Sequence, residues 1–267
     1  MVPPRPLENQ RSKQQKTDRL DARALLDNLE RYLRGNRDAM SVIAVPSVEM
    51  EQQRSVARYR EQLVRNRRRA EARGRALAVT QGILAPAGWW RPGAWQAFKT
   101  QLPDWMVCQL EHWQKEALGL DAQERQLRRQ LEKMVSCKVP IGVGALSWII
   151  LELELRGWER FKNRRQIASY TGLCPGIHHS NGRGREGRIN RCGNPTVRYI
   201  LIEMTWRLVR WQPDYPPLQK LRRSPSKRAK RRLVVAAARR LAIDLWRWTT
   251  GRASAEKLGL ALPCSKR

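Results

Sequence analysis

Three places in the chain bring together residue types able to act on a phosphate ester. The first is KTDRLDA (16–22), where Asp18 and Asp21 stand three residues apart at the start of an apolar-periodic run. On a helix that spacing puts both carboxylates on one face. Such a pair can hold Mg2+ when substrate phosphate oxygens complete the coordination. The same residues also suit a purely local role, with Asp18 as helix N-cap and Asp21 at the third helical position, favoured by the helix dipole. The second place is VPIGVGALSW (139–148), where Gly142 and Gly144 would let backbone N–H groups at a helix start approach a phosphate, or would simply make a tight turn between helices. The third is Ser180, in a Gly-rich stretch with Arg183, Arg185, Arg188 and Arg191 close behind it and Arg198 a little further on. A hydroxyl among guanidinium groups is placed to meet a phosphodiester whose developing charge they would stabilise. Serine needs an activating base or metal, and His178 and His179 are the nearest bases in sequence. An Arg/Gly loop that binds backbone phosphate without chemistry fits the same residues.

The elements that must position these groups read as mainly helical. Residues 16–34 form an amphipathic helix with Leu20, Ala24, Leu25, Leu29, Tyr32 and Leu33 on one side, followed by a connector or edge strand at 41–47. From about 48 to 134 two long helices are expected, broken by PAGWWRPG (86–93). In the second, Met106, Leu110, Trp113, Ala117, Leu120, Glu124, Leu127, Leu131 and Met134 follow alternating steps of four and three. That is a coiled-coil seam, equally able to close an antiparallel hairpin within the chain or to dimerise two chains. Residues 136–220 hold the Gly-punctuated, basic part, and a helix with a basic start and an apolar face runs from Lys227 to about Gly251. Basic residues at a helix N-terminus oppose the dipole, which suggests contact with phosphate instead.

Composition narrows the classes. The 267 residues carry 53 Lys and Arg against 24 Asp and Glu, a net charge of +29, which favours a polyanionic partner. Between Arg183 and Arg232 there are 15 basic and 3 acidic residues, so the charge concentrates in the region of Ser180 and beyond it. A hydrophobic content of 41% is too high for a disordered basic tail. No run approaches a membrane span, and the N-terminus has no apolar core of the signal-peptide kind, which points to the cytoplasm. Five cysteines, odd in number and irregularly spaced, suit free thiols. Cys174, His178, His179 and Cys192 match no common zinc-finger spacing, and we assign no zinc site to them.

The strings KTDRLDARAL, VPSVEMEQQRSVARYREQLVRNRRR, IGVGALSWIILELELRGWERFKNRRQIASYTGLCPG and HHSNGRGREGRINRCGNPTVRYILIEMTWRLVR occur in the order found in insertion-sequence transposases. They resemble the IS-one-ten/eleven-eleven group, DEDD-type recombinases related to pilin-gene inverting enzymes. The resemblance spans nearly the whole chain and rests chiefly on the K-T-D-x-x-D-A string together with S-x-G…R-I-x-x-x-G-N. It implies four parts: a remnant of a RuvC-like, RNase-H-fold domain at 1–40, a helical arm at 41–135, a serine-bearing C-terminal transposase domain at 136–220 opened by a helix-hairpin-helix-like turn at Gly142–Gly144, and a basic helix at 221–267. It also implies that Asp18 and Asp21 are the last two of four metal-binding acids and that Ser180 attacks DNA to form a phosphoserine link. Mg2+, DNA, a structured guide RNA in some members, a homo-oligomer and a bacterial, nucleoid-associated location follow from it in the same way. Only 15 residues precede Lys16, with Glu8 their single acid, where the family pattern has a strand-borne Asp and a Glu; the expectation is an N-terminally truncated copy. The motif also reads Ser-Asn-Gly where many relatives have Ser-Ser-Gly. Two functional readings remain in view: a DNA transposase, and a non-enzymatic nucleic-acid-binding remnant that oligomerises through its arm. A basic ribosome-associated protein would account for the charge but not for the order of the motifs.

Overall fold

The computed structural model describes residues 17–40, 45–180, 183–224 and 226–263, and falls into two compact units, 1–48 and 49–267. It is mainly helical, as the periodicities indicate. In the first unit α1 spans Asp18–Leu33. Its N-cap is Thr17, whose side chain accepts from the Leu20 backbone N–H, so Asp18 is the first helical residue and not the cap. Both aspartates still lie in the positive first turn, and Arg34 pairs with Glu30 at the other end. No residue of α1 is buried.

The second unit opens with α2 (Val48–Val79), followed by a short helix α3 (Pro92–Lys99) and then α4 (Asp104–Lys133). The break between the long helices is therefore wider than PAGWWRPG and contains a helix of its own. The seam of α4 is used inside the chain. Met106, Leu110, Ala117 and Leu131 are buried, and α2 runs antiparallel to α4, with Arg60 on Glu124 (2.6 Å) and Arg67 on Asp121 (3.2 Å). These pairs make the polar members of the seam tolerable where isolated charges would be costly. The tip of the hairpin is a tryptophan knot in which Trp89, Trp90, Trp95 and Phe98 are all buried, with the Trp89 and Trp95 ring centroids 5.8 Å apart. Arg67 lies over the Trp90 ring, and Gln114 donates to the Trp90 carbonyl at 3.2 Å. Gly74 makes the knot possible: a Cβ there would stand 2.7 Å from Trp89 Cη2 and 3.0 Å from Leu110 Cδ2.

Beyond the hairpin come α5 (Ala145–Leu155), α6 (Arg164–Tyr170), strands β1 (Pro175–Ser180) and β2 (Arg183–Ile189), and α7 (Pro195–Trp211). A 3-10 turn (Pro216–Leu218) leads into α8 (Gln219–Arg223), α9 (Lys227–Thr249) and α10 (Ala255–Leu258). One core runs from Val143 to Leu260. The helix α9 is central to it, lying against α6, α7 and the 3-10 turn, with Ala237, Ala238 and Ala242 allowing close approach. Its buried leucines, Leu241 and Leu245, each contribute about 1.5–3 kcal/mol by leaving water. Trp148 stacks on Trp158 and meets the edge of Trp248, so tryptophan fills the larger gaps here as at the hairpin tip. Among the described residues no helix is long and apolar enough to cross a membrane.

Candidate active site

Ser180 is the last residue of β1, in a β-hairpin and not in the open Gly-rich loop that the sequence suggests. The antiparallel register pairs Ser180 with Arg183, His179 with Gly184 and His178 with Arg185. A bulge between Pro175 and Ile177 shifts the ladder near its base. The structure thus brings the backbones of Ser180, His178, Arg183 and Arg185 together; their side chains, with those of His179 and Arg188, lie outside the described ones, as do Asn181 and Gly182 altogether.

The described residues show how the hairpin is held. Below β1 and β2 the two chain segments cross at Gly172 and Gly193. A Cβ on Gly193 would lie 2.7 Å from the Thr171 carbonyl carbon, and one on Gly172, at φ +65°, would lie 2.8 Å from Gly193 N. Only glycine allows that approach. Backbone bonds lace the crossing: Asn190 N–H to the Cys174 carbonyl (2.9 Å), Arg191 N–H to Gly172 (3.3 Å) and Asn194 N–H to Tyr170 (3.0 Å). Arg191 sits in the left-handed region at φ +56°, a conformation that costs a residue with a Cβ about 1 kcal/mol. Its side chain is exposed, and its carbonyl accepts from Arg198 Nη1 at 3.3 Å. Arg198 also reaches the Thr171 carbonyl at 3.5 Å, so this predicted DNA-binding residue ties the hairpin base together.

Asn194 caps α7, its Oδ1 accepting from Thr196 N–H (2.9 Å) and Val197 N–H (3.2 Å), while Pro195 fills the first helical position. Its Nδ2 donates to Glu154 Oε2 at 2.7 Å. Glu154, on α5, is buried and also accepts from Arg54 Nη2 of α2 at 3.3 Å, with Arg58 3.6 Å from its other oxygen. Tyr170 donates its hydroxyl to the Glu154 backbone carbonyl (2.8 Å). One carboxylate therefore joins the arm, α5 and the turn leading out of the serine hairpin. Sequence reading missed Glu154, which looks like one polar face of the LELEL run, although the Asn-Pro pair at 194–195 signals a capped helix start.

The two glycines of the second motif have visible structural uses. Gly142 takes φ +83° where a Cβ would press on Trp211 Cβ at 3.0 Å, and Gly144 takes φ +79° as the N-cap of α5, 3.0 Å from Arg207 Nη1 by the same measure. Arg207 donates to Ser147 Oγ at 2.7 Å, and its burial lowers its affinity for the proton. Asp18 and Asp21 belong to the first unit and Ser180 to the second. Among the described residues no group of three or more His, Cys, Asp or Glu is placed to hold a metal ion. Two carboxylates three apart on α1 match the share that a protein gives Mg2+ when phosphate oxygens supply the rest. Cys192 Sγ contacts the Asn190 carbonyl at 3.3 Å.

Residues 140–220, which include Gly142, Gly144, Glu154, Ser180 and Asn194, match the model of the transposase family IS116/IS110/IS902. The chain is 26% identical to the "Putative transposase y4rJ" of Sinorhizobium fredii over 93% of its own length and 70% of that protein's. It is 26% identical to the "Putative transposase y4pF/y4sB" of the same organism, over 71% of this chain and 50% of that one. With the "Probable family 20 transposase" of Pseudomonas aeruginosa the identity is 27%, over 66% and 56% respectively. The chain thus spans about half the length of the last two. On the match around the serine hairpin and the relatives that run along the rest, the chain belongs to the IS116/IS110/IS902 transposase family.

Proposed function

We propose that the protein is a DNA transposase of an insertion sequence, in which Ser180 is the nucleophile that cuts and rejoins strands. The observation that carries this reading is the position of Ser180 inside the family-matching segment, at the end of a strand whose base is clamped by Gly172, Gly193, Arg198 and the Asn194–Glu154 bond. A clamped hairpin is a rigid carrier for a nucleophile, and rigid placement is what converts binding into attack.

In the proposed step the Ser180 oxygen attacks a phosphodiester phosphorus. The serine O–P bond forms and one backbone P–O bond breaks. The serine proton is lost to a base, and the departing strand end leaves as a free hydroxyl. One phosphate ester replaces another, so the link is kept for rejoining without an energy source. Arg183, Arg185, Arg188 and Arg191 supply positive charge to the DNA backbone beside the hairpin. Asp18 and Asp21 are the residues that would hold Mg2+, which when bound stabilises charge on the phosphoryl oxygens. The same cationic surface suits a structured guide RNA, and a pair of chains would supply two nucleophiles for two strands. Burial of the α4 seam against α2 weighs against the non-enzymatic reading in which that seam drives oligomerisation.

The test is a covalent trap. End-labelled duplex DNA carrying the termini of the encoding element is incubated with the protein and Mg2+, then denatured. Label should stay with the protein and vanish with Ser180→Ala; adducts that form equally with the variant would overturn the proposal. DNA affinity should also fall steeply with salt, and a slope near zero would contradict the phosphate contacts.

A further inference from the structure

A cavity of about 420 Å³ opens between the 3-10 turn, α9 and α10, a volume in the range of small-molecule sites, roughly 300–1,000 Å³. Its walls are of two kinds. Pro216, Pro217 and Leu258 offer flat apolar surface, while Arg240, Arg247 and Lys257 supply three cations. The remaining lining residue is Asp244, only 1% exposed. Its Oδ2 accepts from the Tyr215 hydroxyl at 2.9 Å and from Arg240 Nε at 3.0 Å. Its Oδ1 is equally buried and has no donor directed at it. A buried carboxylate oxygen left without a donor costs about 1–3 kcal/mol or more. That cost is removed when a ligand brings an N–H or O–H group. Tyr215 is fixed in the role of donor, because burial and the facing Asp244 raise its pKa well above the ordinary phenol value while Arg240 opposes them. The rim is preformed: Gly259, at φ +72°, lets the chain after α10 lie against Pro216, where a Cβ would stand 2.6 Å from the proline Cδ.

We infer that this cavity is a nucleotide-binding site, separate from the serine hairpin. Three cations against one carboxylate leave two positive charges, which match a phosphate monoester. The proline and leucine walls accept the face of a base, and Asp244 Oδ1 accepts its N–H edge. Both a free nucleotide and the 5′-phosphorylated end of a strand have this chemistry. Neither the cleavage step nor Ser180 enters the argument, so the site and the transposase reading can fail separately.

The test uses the whole protein and follows Trp246 and Trp248 fluorescence on α9 during titration with 5′-GMP, inorganic phosphate and a 5′-phosphorylated trinucleotide. Saturable GMP binding is expected, about tenfold tighter than phosphate alone. The double variant Arg247→Ala/Lys257→Ala, which should melt at the unchanged temperature, should weaken it by about tenfold. A trinucleotide tighter than GMP assigns the site to a strand end, and a weaker one assigns it to the free nucleotide. No saturation up to about 10 mM GMP, equal affinity for phosphate and GMP, or an unchanged affinity in the double variant overturns the inference.

Discussion

Replacing Glu154 by Gln changes one charge at the point where the arm, α5 and the exit of the serine hairpin meet. The amide oxygen of the new side chain can still accept from Asn194 Nδ2, which now lies 2.7 Å from Oε2, so the cap of α7 is weakened but not removed. The Arg54 guanidinium is the group that suffers. Its side chain is 7% exposed and it loses the carboxylate 3.3 Å away. Breaking a buried pair by removing one partner costs about 3–5 kcal/mol. Glu51, three residues before Arg54 on α2 and half-exposed, remains bonded to it and returns part of that. The expected loss is therefore about 2–3 kcal/mol, read from the midpoint of urea unfolding at unchanged slope. Adding Arg54→Met removes the stranded cation, so the double variant should be more stable than Glu154→Gln alone. A single substitution costing less than about 0.5 kcal/mol, or a double variant in which the two losses simply add, would refute the reasoning.

Other outcomes follow from the same geometry. Gly74→Ala gains about 1 kcal/mol of helix propensity but forces a methyl group into the Trp89 ring, an overpacking cost of about 1–3 kcal/mol or more. Net destabilisation with altered tryptophan fluorescence is expected, and a stabilised variant would contradict the packing. Arg191→Gly relieves the left-handed backbone at φ +56° and should raise stability by up to about 1 kcal/mol while weakening DNA binding; reduced stability would show that the conformation carries no strain. Burial raises the proton affinity of Glu152 above the ordinary carboxyl value of 4.5. The folded state then holds more protons than the unfolded one, so this group makes stability fall as pH rises from about 4.5 through the raised value. Glu152→Gln should flatten that part of the pH profile and stabilise the protein at neutral pH; a steeper profile would reverse the sign.

How far the sequence foretells this arrangement depends on how local each cause is. The ends of α1 and α9 are set by nearby residues: Thr17 and Ser226 cap them, and the apolar positions that follow keep helical spacing. Even there the cap is Thr17 and not Asp18, because both types cap well and the choice turns on backbone geometry one residue apart. The four–three spacing of α4 announces a seam but not its partner. Arg60 and Arg67 settle that by receiving Glu124 and Asp121 from 64 and 54 residues away in sequence. The serine hairpin leaves little trace, since SNGRGREGRI has neither β-branched density nor apolar alternation, and its base depends on a glycine crossing between Gly172 and Gly193. Glu154 is hidden for a related reason: its burial comes from Asn194 and Arg54, both remote in the chain. The motif residues themselves, Asp18, Asp21 and Ser180, were legible as types at characteristic spacings, whereas the clamp that supports the serine was not.

The central claim is that strand cleavage passes through the Ser180 oxygen. Its most direct test is to digest the denatured protein–DNA adduct with protease and nuclease and locate the residual nucleotide by mass spectrometry. A phosphonucleotide on the peptide carrying Ser180, absent from Ser180→Ala, is the predicted result. The nucleotide on any other residue, or cleavage by Ser180→Ala at the rate of the unaltered protein, would contradict the account.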